Sequence, residues 1–205
     1  GFHSALGSTN QPSALVRLEG DYAANPFTPM LYLRESALSE FNGHELVLAD
    51  SRYDTDVSRT RPEQAYIGQE DVDLDLRVPL IQSIYLMGEH ENAFAIDYPL
   101  SFSRLKNPEP GRFKAAYKAY SVAPTFALDT LLNAEVGDPR WSEEELQHYL
   151  VVHPDKRYSE IARKISQQQQ TPVARMQALT DYLSLNAIYT LTPKHEVMPD
   201  EDPVA

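Results

Sequence analysis

Histidines are the first side chains to consider for chemistry, because histidine serves as a general base and as the commonest metal ligand. The sequence has six histidines, and none forms an HExxH or HxH arrangement. His90 lies between Glu89 and Glu91, residue types that suit a hard metal ion, but in a strand these glutamates would point to the face opposite the histidine. We therefore expect no metal site there, and surface or helix-capping roles for His148 and His153.

Three aspartates at alternate positions, Asp71, Asp73 and Asp75, form a second candidate, because closely spaced carboxylates can bind calcium. Their spacing lacks the glycine and the terminal glutamate of an EF-hand loop. A solvated strand face is favoured, since the residues between the aspartates are aliphatic. A carboxylate pair for glycoside hydrolysis stays open, because such pairs meet in space rather than in sequence and the chain has 30 acidic residues.

The sequence lacks a thiol nucleophile, the serine nucleophile motif and the known phosphate-binding loops. The chain has no cysteine, which excludes thiol catalysis, disulfides and cysteine-bound metals within it. It also has no Gly-x-Ser-x-Gly, Walker A or Gly-x-Gly-x-x-Gly motif. The 12 tyrosines are scattered, which is typical of packing rather than of a stacking platform. We therefore predict no catalytic, cofactor-binding or metal-binding residue in this chain.

Composition narrows the class of protein further. The chain has 205 residues, of which 42% are hydrophobic and 23% charged, so one large or two small domains with a real core are expected. The formal net charge of -12 disfavours nucleic acid as a partner, because a protein this acidic repels phosphate backbones. The most apolar stretch, Leu80–Met87, is too short for a membrane span.

The first part of the chain has the patterns of strands. Strict alternation of aliphatic and charged residues over 71–78 predicts a strand with one buried face, and Pro79 predicts the break after it. Alternating lysines and aromatics over Phe113–Val122 favour a long strand, although its alanines leave a helix open. The other predicted strands are Leu15–Leu18, Met30–Leu33, Leu46–Leu48, Leu80–Met87 and Phe94–Ile96.

From residue 138 the pattern becomes helical. Ser142 and Glu145 form a capping box, and Thr171-Pro172 predicts a helix with proline at its first position. Between them a second helix begins at either Asp155 or Ser159. We therefore predict an α+β fold with a β-rich domain over 1–130, an antiparallel sheet or sandwich, and two to three helices over 138–205. Ala123–Pro139 is the candidate linker, and the third helix should face the core with Val173, Met176, Leu179 and Leu183.

An ordered set of short motifs runs along the last third of the chain and resembles one family. The set is Gly137-Asp138-Pro139-Arg140-Trp141, Tyr149-Leu150, Ile161-Ala162 with Ile165, Thr171-Pro172, Tyr182-Leu183, Tyr189-Thr190-Leu191 and Asp202-Pro203-Val204. It resembles the lead-in to the catalytic domain of bacterial transglutaminase-like proteins, the membrane-anchored type with an extracytoplasmic domain. Tyr32-Leu33-Arg34, Leu38 and Phe41-Asn42-Gly43 resemble the segment before that domain, although Leu46 stands where the family usually has tryptophan.

The resemblance implies parentage without activity. In that family these helices precede the helix with the nucleophilic cysteine of a Cys-His-Asp set, in which a thiolate attacks an amide. We therefore expect a non-catalytic N-terminal region truncated before that cysteine, extracytoplasmic (periplasmic), with a positioning or partner-binding role. Its partners would be the missing catalytic domain of the same polypeptide or an envelope protein or peptide. Without that domain, Met176, Leu179 and Leu183 should form an exposed apolar stripe.

Two other functions stay open at this point. One is a self-contained periplasmic binding or interaction module, with the β-rich domain as the recognition surface. The other is a carboxylate-based hydrolase, which would need a pair of acidic side chains brought together by the fold.

Overall fold

A computed structural model describes residues 12–42, 46–50, 52–54, 59–68, 74–139, 141–152 and 155–187. The described residues fall into two compact units. Among the described residues, the β-rich unit holds those within 12–40 and 47–127, and the helical unit holds 41–42, 46 and those within 128–187. The predicted α+β class is confirmed, with strands first and helices after them.

A five-stranded antiparallel sheet is the frame of the β-rich unit. Its strand order is β1-β6-β9-β8-β5, and the β2–β7 and β3–β4 pairs form two small separate sheets. The strands are β1 (Ala14–Glu19), β2 (Leu33–Arg34), β3 (Glu40–Phe41), β4 (Leu46–Val47), β5 (Tyr66–Ile67), β6 (Arg77–Leu86), β7 (Ala95–Ile96), β8 (Pro99–Arg104) and β9 (Ala115–Pro124).

The central pair of strands, β6 and β9, is in register from Arg77 opposite Pro124 to Leu86 opposite Ala115. Strand β9 also pairs with β8, so both of its edges are hydrogen-bonded. This settles the strand-or-helix question over Phe113–Val122 in favour of the strand. Sheet pairing overrides the helix propensity of its alanines, which instead allow close packing of the neighbouring layers.

The core lies on the central strands of this sheet. Tyr117 on β9 and Ile84 on β6 are completely buried, and Phe94 and Phe102 pack around them. The Tyr117 ring meets both phenylalanine rings edge to face, with centroids 6.4 and 5.8 Å apart. The Tyr117 hydroxyl donates to the Phe94 carbonyl at 2.8 Å and accepts from the Phe94 N–H at 2.9 Å, so this buried phenol is satisfied.

The prediction that Pro79 breaks the chain between two strands is wrong. Strand β6 runs through Pro79, which lies opposite Val122. On the other side of β9, the Val122 N–H donates to the Tyr98 carbonyl and the Val122 carbonyl accepts from the Tyr98 N–H. Val122 therefore needs no backbone hydrogen bond from the nitrogen of Pro79. Pairing with β1 begins only at Ile81. Proline is therefore tolerated in this strand because it occupies a position where no donor is needed.

The predicted strand over 71–78 is correct at Arg77 and Val78, which belong to β6, and wrong at Leu74–Leu76. Leu74–Leu76 form a turn with Leu76 at a φ of 58°, and the strand begins at Arg77. Asp75 is exposed in this turn, whereas Asp71 and Asp73 lie outside the described residues. The alternation of aliphatic and acidic residues therefore extends into a turn. Alternation alone does not distinguish such a turn from a strand.

The helical unit contains α1 (Glu143–Tyr149), α2 (Lys156–Ser166) and α3 (Pro172–Asn186). The predicted caps at Ser142 and Thr171 are confirmed, and Asp155, not Ser159, caps α2 by accepting from the Arg157 N–H. The described helices include none that is long and apolar enough to cross a membrane. The predicted exit strand at Tyr189–Leu191 lies outside the described residues.

The third helix does not bury the face that its pattern predicts. Met176 and Leu183 are 48% and 58% exposed, while Val173 and Leu179 are half-buried. None of the residues of the three helices is buried. Helix α3 packs on α2, and one short neighbour covers only part of an amphipathic surface. The expected exposure of the apolar stripe is therefore observed at two of its three positions.

The candidate linker is shorter than predicted at its beginning. Ala123 and Pro124 belong to β9, and Leu128–Leu131 form a single 3₁₀ turn. The pairing of β9 with β6 explains the difference, because it extends the strand to Pro124. Phe126 lies between the strand and the turn and lines the cleft described below.

Candidate functional site

A cleft of about 600 Å³ lies in the β-rich unit, next to the small β2–β7 sheet. Its volume is within the range of ligand-binding pockets, roughly 300–1,000 Å³. The residues that line it are mostly apolar or aromatic, with two arginines and two carboxylates among them. They are Tyr22, Asn25, Phe27, Leu31, Tyr32, Leu33, Arg34, Glu35, Ser36, Arg77, Ile96, Asp97, Pro124 and Phe126.

One wall of the cleft is the loop between β1 and β2, which Asn25 organises. The Asn25 side-chain oxygen accepts from the Phe27 N–H at 3.0 Å, and its amide donates to the Met30 carbonyl at 2.9 Å. Such bonds from an asparagine to nearby backbone stabilise turns. The predicted strand over Met30–Leu33 is consequently wrong for its first three residues, and only Leu33 enters β2. The loop holds Phe27, Leu31 and Tyr32 at the cleft.

This loop leaves large apolar side chains in water. Phe27 and Leu31 are each 40% exposed, Tyr32 is 57% exposed and Leu33 is 39% exposed. The rings of Phe27 and Tyr32 meet edge to face with their centroids 5.0 Å apart. All four side chains line the same cleft and form its apolar rim, and exposed apolar patches mark interaction sites.

The floor of the cleft is buried. Tyr22 and Ile96 belong to a core cluster with Leu80 and Ala123. The Tyr22 hydroxyl donates to the Pro124 carbonyl at 2.7 Å. Burial raises the pKa of the Tyr22 phenol; Arg77 opposes this rise and Asp97 adds to it. Tyr22 therefore stays neutral at ordinary pH and acts as an apolar surface with a satisfied hydroxyl.

A charged cluster lies at one side of this apolar surface. The Arg34 Nη1 donates to the Asp97 Oδ1 at 3.0 Å. The Arg77 Nη1 donates to the Val122 carbonyl at 3.0 Å and lies 3.9 Å from the Asp97 Oδ2. All three charged side chains are partly buried. One carboxylate thus lies between two guanidinium groups, and with Glu35 the charged side chains that line the cleft are two arginines and two carboxylates, so their formal charges cancel.

Glu35 is the second carboxylate that lines the cleft. Its Oε1 accepts from the Asn92 amide at 3.3 Å. Glu35 therefore has its own hydrogen-bond partner, whereas Asp97 is the carboxylate in contact with the two arginines.

The described histidines that the sequence offers as candidates for chemistry do not line this cleft. His90 is half-buried, and its ring packs edge to face on Phe94 with centroids 5.2 Å apart. His148 lies in the last turn of α1 beside Tyr149, and His153 is outside the described residues. Within the described residues, no three histidine or acidic side chains come together as a metal site would require.

Sequence reasoning missed the residues that form the cleft. Arg34 belongs to the Tyr32-Leu33-Arg34 motif of the resemblance, but no sequence pattern assigns a binding role to Arg34 or Arg77, and Asp97 lies 63 residues after Arg34. The only signal is the run of large apolar residues from Phe27 to Leu33, of which Met30–Leu33 carries the strand prediction.

Comparison with known proteins adds no relative. The chain matches no known family model, and neither a curated protein nor a solved structure is detectably similar to it. Function is therefore argued from the cleft and from the motifs of the sequence.

Proposed function

We propose that this chain is a non-catalytic partner-binding region, and that the cleft of its β-rich unit holds the partner. The observation that carries the proposal is the rim of Phe27, Leu31 and Tyr32, which is 40–57% exposed around a cleft of about 600 Å³. Burying such side chains against a partner would contribute binding free energy, at roughly 25 cal/mol per Å² of apolar area.

The proposal also includes a parent protein. We propose that the chain is the extracytoplasmic, periplasmic N-terminal region of a bacterial transglutaminase-like protein, and that it positions the catalytic domain or presents a partner to it. The order of the motifs supports this, including Thr171-Pro172 at the start of α3. The chain has no cysteine, so the thiol chemistry of that family would need residues beyond it.

The binding role is tested by selecting peptides on the purified chain. A phage-displayed library of random peptides is selected against the natural chain, and the recovered peptides are synthesised. Their affinities for the natural chain, Leu31→Asp and Ile67→Asp are then measured by isothermal titration calorimetry. Ile67 is a matched control, because it is an 81% exposed aliphatic residue of the same unit that does not line the cleft.

We expect peptides that bind the natural chain and Ile67→Asp equally and bind Leu31→Asp at least about tenfold more weakly. A charge placed in an apolar contact must be desolvated, which explains the expected loss. Equal binding to all three proteins, or failure to recover any peptide, would contradict the proposed role of the cleft. Thermal unfolding of both variants checks that they keep the fold.

The parentage is tested in the gene. The proposal predicts an in-frame Gly-x-Cys element within a few dozen codons after Ala205, on a helix predicted from the sequence. An open reading frame without such an element would contradict the transglutaminase-like parent and favour the self-contained binding module.

A further inference from the structure

We infer that the cleft binds an uncharged, proline-rich segment of a partner protein in the extended polyproline II conformation. This inference rests on the proposed binding function and specifies its ligand. Three properties of the cleft point to such a segment: its balanced charge, its available hydrogen-bond donors and its aromatic lining.

The charged side chains of the cleft already satisfy one another. Arg34 and Arg77 contact Asp97, and Glu35 accepts from the Asn92 amide at 3.3 Å. A carboxylate on the ligand would compete with Asp97 for the arginines, and an ammonium group would compete with the arginines for Asp97. Separating a partly buried ion pair leaves a charge without its partner. An uncharged ligand avoids this cost.

The hydrogen-bonding groups of the cleft favour a ligand that accepts rather than donates. The Arg77 guanidinium donates to the Val122 carbonyl at 3.0 Å, whereas a guanidinium has several N–H donors. The Tyr32 hydroxyl has no hydrogen-bond partner among the described residues. Both carboxylates, in contrast, already accept hydrogen bonds. Proline has a backbone carbonyl and no N–H, so a proline-rich segment offers acceptors and few donors.

The lining of the cleft has the character of a surface that receives proline rings. Four aromatic side chains line it, namely Tyr22, Phe27, Tyr32 and Phe126. Aromatic-lined grooves are a recurring mode of recognition for polyproline II segments. This conformation has no internal hydrogen bonds and is largely formed before binding, so less conformational entropy is lost in the complex.

The openness of the cleft favours a segment of a protein over an enclosed small molecule. Ligand pockets for small molecules bury about 70–90% of the ligand surface. Here Phe27, Leu31 and Tyr32 at the rim remain 40–57% exposed, so both ends of a bound chain can leave the cleft. The bound residues can thus be part of a longer polypeptide.

The test compares three hexapeptides by isothermal titration calorimetry with the whole chain. The probes are acetyl-Pro-Leu-Pro-Pro-Leu-Pro amide, the same peptide as its free acid, and acetyl-Ala-Leu-Ala-Ala-Leu-Ala amide. Binding is measured for the natural chain, Tyr32→Ala and Tyr182→Ala. Tyr182 is the matched control, because it is a 39% exposed tyrosine of α3 that does not line the cleft. Thermal unfolding checks that both variants keep the fold.

We expect the proline amide to bind the natural chain about tenfold or more tightly than the alanine amide, because it is preorganised and has fewer donors to satisfy. Tyr32→Ala should weaken the binding of the proline amide about tenfold, and Tyr182→Ala should leave it unchanged. The free acid should bind no more tightly than the proline amide, since the charges of the cleft are balanced.

A second measurement does not depend on any variant. The affinity of the natural chain for the proline amide should stay constant as the ionic strength rises from about 0.05 to 0.5 M, because the ligand has no charge to screen. A steep fall in this affinity, tighter binding of the free acid, or equal affinity for the proline and alanine amides would overturn the inference. So would an equal loss of binding in Tyr32→Ala and Tyr182→Ala.

These failures are distinguishable from failure of the proposed function. If library-selected peptides without proline lose binding to Leu31→Asp and keep it to Ile67→Asp, the cleft is the binding site and the proline preference is wrong. If the selected peptides bind Leu31→Asp as tightly as the natural chain, the proposed function is refuted as well.

Discussion

The guanidinium of Arg34 donates to the carboxylate of Asp97 at 3.0 Å, although 63 residues separate them in the chain. Arg34 is the second residue of β2, and Asp97 follows β7 directly, so the two-residue ladder between these strands brings the pair together. Arg77 at the start of β6 approaches the same carboxylate at 3.9 Å. The charged side of the cleft is thus assembled by the topology of the β-rich unit.

Replacing Asp97 changes the charge of this cluster. The Asp97→Asn variant removes the carboxylate that contacts both Arg34 and Arg77, so it should lower the free energy of unfolding by up to about 1 kcal/mol at low salt. Urea denaturation measures the change, and Glu91→Gln is the control, because Glu91 is exposed and does not line the cleft. An Asp97→Asn variant as stable as Glu91→Gln would contradict a stabilising role for this cluster.

Gln82 couples the central sheet to the floor of the cleft. Its side chain is completely buried, its Nε2 donates to the Ser121 hydroxyl at 2.9 Å and its Oε1 accepts from the Ile96 N–H at 2.8 Å. Gln82→Leu should lower the free energy of unfolding by about 2 kcal/mol, because it leaves buried polar groups without partners. Urea denaturation measures the loss.

The double variant Gln82→Leu with Ser121→Ala serves as the control for Gln82. It removes one of the two orphaned groups and should recover part of the stability. A single Gln82→Leu variant as stable as the natural chain would contradict the buried network.

Tyr117 gives the β-rich unit a specific alkaline sensitivity. Burial raises the pKa of the Tyr117 phenol far above its usual value near 10, against the opposing hydrogen bond from Phe94. The unfolded chain therefore loses this proton at lower pH than the folded chain. The stabilisation that results from the raised pKa of Tyr117 is complete below about pH 10. Above that pH the free energy of unfolding falls by up to about 1.4 kcal/mol per pH unit.

The Tyr117→Phe variant separates this effect from that of the other tyrosines. It should be less stable at pH 7 by about 2 kcal/mol, because the Phe94 N–H and carbonyl lose their partner, and its stability should fall less steeply above pH 10. Tyr85→Phe, at a half-buried position of β6, should change neither property much. Denaturation at pH 7 to 11 measures both, and identical alkaline slopes for the natural chain and Tyr117→Phe would contradict the assignment.

The cap of α3 is a local prediction in the helical unit. The Thr171 hydroxyl accepts from the Ala174 N–H at 3.3 Å. Thr171→Ala should therefore destabilise this helix by about 1 kcal/mol. Thr180→Ala, on an exposed turn of the same helix, should be neutral or slightly stabilising because alanine has the higher helix propensity. Amide hydrogen exchange of α3 distinguishes the two variants, and equal protection in both would contradict the capping role.

Local chemistry explains which parts of the fold the sequence predicts. The caps at Ser142 and Thr171 follow from side chains that bond the backbone two or three residues away, so they need no tertiary information. The strand through Pro79 is not predicted for the same reason. The proline is tolerated there because of the hydrogen bonds between Val122 and Tyr98, which lie in a distant part of the chain. A local sequence pattern gives no information about hydrogen bonds between strands that are distant in the chain.

The cleft escapes prediction for the same physical reason. Its charged residues lie on β2, β6 and the end of β7, and both β2 and β7 are only two residues long, too short for any periodicity. The apolar rim was visible in the sequence as hydrophobic residues, but hydrophobicity alone favoured burial in a strand. Only the turn at Asn25 shows that these residues face solvent.

Backbone amide chemical shifts of the ¹⁵N-labelled chain, followed during titration with a library-selected peptide, test the central claim most directly. The account predicts that the shifts concentrate on the cleft, at Tyr22, Leu33, Arg34, Ile96 and Asp97. Shifts confined to α2 and α3, or spread evenly over the surface, would contradict a binding site in the β-rich unit.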